Sequence, residues 1–73
     1  MMTYFDRFLA TCEDFNLPAD EAAALGVRVN AACEKLALSK NATHADLLRQ
    51  AEREIRKFSP DMADFYKNYD RII

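Results

Sequence analysis

The chain is expected to fold as an all-α protein, a compact irregular bundle of about four short helices. Three observations carry that expectation. Apolar residues recur at i, i+3 and i+4 along most of the chain. No segment alternates apolar and polar residues as a half-buried strand would. A single Gly and two Pro leave little material for β-turns or flexible linkers. Seventy-three residues make one domain, spanning 1–73. So short a chain has a marginal core, and a 51% apolar fraction with five Phe and three Tyr offsets this.

The first helix is expected over 4–15. Phe5, Phe8, Leu9, Cys12 and Phe15 form one stripe. Thr3 and Asp6 have the spacing of a capping box. Asn16 tolerates the left-handed conformation that ends helices, and Pro18 cannot continue one. The second helix is expected over 18–38, with Pro18, Asp20 and Glu21 suited to its first turn. Gly26 lies inside it at a cost of about 1 kcal/mol relative to Ala, which suggests close packing against a neighbour. The pair is expected to form an antiparallel hairpin.

The third helix is expected over 44–58. Thr43 and Asp46 repeat the capping-box spacing, and Leu47, Leu48, Ala51, Ile55 and Phe58 make its apolar face. Ser59-Pro60-Asp61 reads as cap, first-turn proline and first-turn acid. The fourth helix, expected over 60–72, therefore follows at a corner. Met62, Phe65, Tyr66, Tyr69 and Ile73 lie along one side of it.

Helix two is unusual in carrying two apolar stripes. Ala22, Leu25, Val29, Ala32, Cys33 and Leu36 make one; Ala24, Val27, Ala31 and Leu38 lie on roughly the opposite side. A helix at the edge of a small globule needs one. The second stripe is expected to meet another protein, a second copy of the chain included. Tyr4, Tyr66 and Tyr69, with the terminal Ile72 and Ile73, are expected to extend that surface, since tyrosine is enriched at interfaces.

The net charge of −2 argues against a nucleic-acid coat, which needs an excess of Lys and Arg, and falls short of a densely acidic DNA mimic. Its distribution is uneven. Residues 1–26 carry five acids and one base; residues 27–58 carry seven bases and four acids. Arg49, Arg53, Arg56 and Lys57 fall within about 80–100° of arc opposite the apolar face of helix three. They are the candidate contact for nucleic acid or an acidic partner, although Asp46, Glu52 and Glu54 stand nearby.

Little else carries chemistry. Cys12 and Cys33 lie on apolar stripes, and the hairpin would hold them roughly 15 Å apart, too far for a disulfide. They are expected to be buried thiols. His44 has no partners at metal-ligand or catalytic spacing and is expected at a helix start. One glycine excludes a glycine-rich phosphate loop. No catalytic residue, cofactor or metal site is expected. No basic segment followed by an apolar run marks a signal peptide, so a cytoplasmic location and no membrane contact are expected, which makes the glycosylation spacing at Asn41 accidental. The resulting expectation is a small non-enzymatic protein-binding module, a regulator, inhibitor or assembly factor acting through a helical surface and self-associating through helix two. The alternative is a nucleic-acid-binding regulator using helix three.

Overall fold

The computed structural model describes residues 3–39 and 41–69. They form α1 (Tyr4–Asp14), α2 (Ala19–Ser39), α3 (His44–Phe58) and α4 (Pro60–Lys67). The protein is an all-α bundle, and no strand occurs among the described residues.

Local chemistry sets the ends of the helices. The Thr3 hydroxyl accepts from the Asp6 amide at 3.1 Å while the Asp6 carboxylate accepts from the Thr3 amide at 3.3 Å. Thr43 and Asp46 repeat this exchange, and those hydrogen bonds hold the Asp46 carboxyl below its ordinary pKa. α1 ends with Asn16 at a φ of 51°, with the Leu17 amide donating to the Cys12 carbonyl and the Asn16 amide to the Glu13 carbonyl. That pair of bonds is a Schellman motif, which Asn accepts more readily than other non-glycine residues. Ser59 closes α3 through its amide and opens α4 through its hydroxyl, which accepts from Met62 at 3.3 Å. A single extended residue therefore makes the corner. α4 ends at Lys67, short of the expected residue 72; residues 70–73 lie outside the described residues.

α3 is the hub. It packs on α1, α2 and α4, most extensively on α2 and α4. The core comprises Phe8 and Cys12 of α1, Leu25, Val29 and Cys33 of α2, Ala51 and Ile55 of α3, and Met62, Ala63 and Tyr66 of α4. Both cysteines are free thiols.

The buried side of α1 differs from the stripe read in its sequence. Arg7, Phe8, Thr11 and Cys12 are buried, whereas Leu9 is 48% exposed. At 100° per residue this turns the buried face by about 60°. α1 must face both α2 and α4, and the turn brings Arg7 beneath α4. There its guanidinium lies 5.6 Å from the Tyr66 ring centroid, and Nη1 donates to the Tyr66 carbonyl at 3.3 Å. Phe58, expected on the buried face of α3, is 41% exposed at the corner.

Candidate protein-docking groove

The thin contact between α1 and α2 leaves a groove. Its floor is set by Gly26. A Cβ there would lie 3.2 Å from Phe8 Cε2 and 3.6 Å from Phe5 Cζ, so the missing side chain lets both rings approach the α2 backbone. The two rings sit 5.5 Å apart. Ala19, Ala22 and Ala23 are too short to fill the space above, and Leu9 and Val27 stand at its edges. The hollow has a volume of about 540 Å³. A second hollow, bordered by Cys12, Glu13, Asn16 and Leu17, shares Leu9 and Ala22 with the first.

A polar chain marks one end. The Tyr4 hydroxyl donates to Asn30 Oδ1 at 2.7 Å, and Asn30 Nδ2 donates to Glu34 Oε1 at 2.7 Å. Partial burial, with smaller contributions from Cys33 and Glu34, raises the Tyr4 pKa and keeps the phenol protonated as donor. Elsewhere the lining is almost wholly apolar. Such a concavity suits an apolar side chain and offers no nucleophile or base.

The expected contact residues separate into two groups. Ala24, Val27, Ala31 and Leu38 are exposed on the outer side of α2, Val27 at 70% and Leu38 at 89%. Val27 belongs both to this face and to the groove. Tyr66 is a correction: it is 1% exposed and sits in the core. Its phase on α4 turns the ring under Arg7, and burial holds its hydroxyl well above the ordinary pKa. Tyr69 is half-buried in an aromatic cluster with Phe65 and Phe15 where α4 meets the end of α1. It does not extend the α2 face.

The basic residues of α3 are largely neutralised within the fold. Arg49 pairs with Asp46 at 3.0 Å and Lys57 with Glu54 at 2.9 Å. Arg56 bridges Glu52 at 2.7 Å and Asp64 at 2.9 Å, and these bonds raise its pKa further. Arg53 makes no ion pair among the described residues; with Arg49 it borders a small hollow beside Leu36 and Gln50. His44 is exposed at the start of α3. No group of three or more His, Cys, Asp or Glu is arranged to hold a metal among the described residues, and none of the described helices is long and apolar enough to cross a membrane.

Sequence reasoning found Gly26 and Val27 but missed the groove between them and α1. The available signal was the run of alanines before Gly26, set opposite Phe5 and Phe8. Fold and surface together define a small all-α bundle with an open apolar groove. No protein-family model matches the chain, and no curated protein or solved structure is significantly similar to it.

Proposed function

We propose that the protein is a non-enzymatic binding module that docks on another protein through α2 and the groove beside it, acting as a regulator, inhibitor or assembly factor. One observation carries this reading: the exposure of Val27 and Leu38, at 70% and 89%, on a helix whose other side is already committed to the core. They are eleven positions apart, hence about 20° apart in arc and about 16 Å along the axis. With Ala24 before Val27 and Ala31 between Val27 and Leu38, they share one face of the helix. The groove adjoins this face at Val27, and exposed apolar surface of this kind marks docking sites. The bases of α3 support a nucleic-acid reading less well, because Arg49, Arg56 and Lys57 are paired with Asp46, Glu52, Glu54 and Asp64.

The test is paired capture from cells, by cross-linking and mass spectrometry, with the wild-type chain and the Val27→Asp plus Leu38→Asp variant. Partners retained by the wild type and lost by a variant of equal melting temperature support the reading. An unchanged set of partners and an unchanged cellular effect overturn it.

A further inference from the structure

The groove is apolar at its floor and acidic around its rim, and the acidity is uncompensated. At 100° per residue Asp6 and Glu13 flank it on α1, and Asp20 and Glu34 flank it on α2. All four are exposed, and none is in an ion pair among the described residues. The single base among residues 1–26 is Arg7, and Arg7 is buried under α4. On α2, Arg28 lies on the far side and turns to Glu54 of α3 at 4.0 Å. The rest of the molecule contrasts with this, since Arg49, Arg56 and Lys57 of α3 all find carboxylates nearby. The fold thus pairs Arg28, Arg49, Arg56 and Lys57 internally and leaves the carboxylates around an apolar hollow outside any ion pair among the described residues.

We propose, on the protein-binding reading above, that this groove takes a basic amphipathic helix of a partner protein, its apolar residues seated against Phe5, Phe8 and Leu9 and its Lys or Arg residues facing Glu13 and Asp20. The hollow and its neighbour meet at Leu9 and Ala22. Two depressions on either side of one ridge fit side chains on successive turns of a helix, the i and i+3 or i+4 anchors of groove recognition. Lys and Arg suit the rim because their stems lie along apolar surface while their charges reach the carboxylates.

A displayed library of helical peptides with unbiased sequence, selected on the whole chain, tests the proposal. Selected peptides should carry apolar residues at i, i+3 or i+4, and i+7, flanked by Lys or Arg. A synthetic peptide of the selected sequence should shift the amide resonances around Leu9, Ala22 and Gly26. Leu9→Gln should weaken its binding about tenfold or more, as loss of an apolar anchor does. Glu13→Gln with Asp20→Asn should weaken it several-fold, and that charge-dependent part should shrink from about 0.05 M to about 0.5 M salt. Peptides with acidic or neutral flanks, or insensitivity to the carboxylate changes, overturn the proposed partner chemistry. Peptides mapping to Ala24, Ala31 and Leu38 alone overturn the groove as the site and leave the protein-binding reading intact. A molecular mass that doubles with concentration and is restored to the monomer by Leu9→Gln makes a second copy the occupant, and overturns it too.

Discussion

The Tyr66 hydroxyl donates to the Tyr4 carbonyl across 3.0 Å, joining α4 to the first turn of α1. The same ring lies under the Arg7 guanidinium, so Tyr66 binds α1 by its hydroxyl, its face and its backbone carbonyl. Tyr66→Phe keeps the ring and removes one hydrogen bond. It should lower stability by about 0.5–1.5 kcal/mol, read as a lower urea midpoint at an unchanged slope. Tyr66→Ala should cost about 3–5 kcal/mol, enough to unfold much of a domain this small. If Tyr66→Ala unfolds at the wild-type midpoint, the assignment of Tyr66 to the core is wrong.

Gly26 is required by the approach of Phe8, not by its backbone. The site is helical, so alanine would gain about 1 kcal/mol over glycine from helix propensity and β-branched valine only part of that. Phe8 is fully buried and has no room to retreat. Gly26→Val adds branched carbon where the first added atom already sits 3.2 Å from the Phe8 ring. The net effect should be a loss of about 1–3 kcal/mol. Thermal unfolding measures it, and a variant as stable as the wild type contradicts the close approach.

Asn16 supplies the left-handed residue of the turn between α1 and α2. Asn16→Gly should be neutral within about 0.5 kcal/mol, since glycine adopts this conformation freely. Asn16→Ala should lose about 1 kcal/mol, because it keeps the Cβ but loses the short polar side chain whose local hydrogen bonding lets Asn tolerate this conformation. The two variants differ little elsewhere, so the difference between their unfolding free energies isolates the backbone effect. Equal stability of the two contradicts the positive φ.

The helices were legible because their signals are local. Thr3–Asp6, Thr43–Asp46 and Ser59-Pro60 set helix starts through contacts within one turn, and the buried stripe of α2 follows from its period alone. The rotation of α1 was not legible. Position 7 holds an arginine, a residue normally placed outward, and the Tyr66 ring and carbonyl that meet it lie 59 positions along the chain. The groove escaped for a related reason. It is space between two helices, set by how Phe5 and Phe8 meet Gly26.

Cys33 links the core to pH. Its thiol is 1% exposed and donates to the Leu47 carbonyl at 3.5 Å. Burial, with a smaller contribution from Glu54, pushes its pKa up from 9.0 to about 11. In the unfolded chain the thiol ionises first, so between the two pKa values the unfolded state binds fewer protons and stability falls as pH rises. The contribution is intact below about pH 9 and is lost by about pH 11, a decline on the order of 2 kcal/mol. Urea unfolding at steps of pH should show that decline, and Cys33→Ala should reduce it, leaving the part due to Cys12, Tyr4 and Tyr66, whose pKa values burial also raises. Native protein near pH 8 should also react with a thiol reagent far more slowly than protein in urea, because the thiolate is the reactive form. Rapid native labelling of Cys33, or a stability flat from pH 9 to 11, contradicts its place in the core.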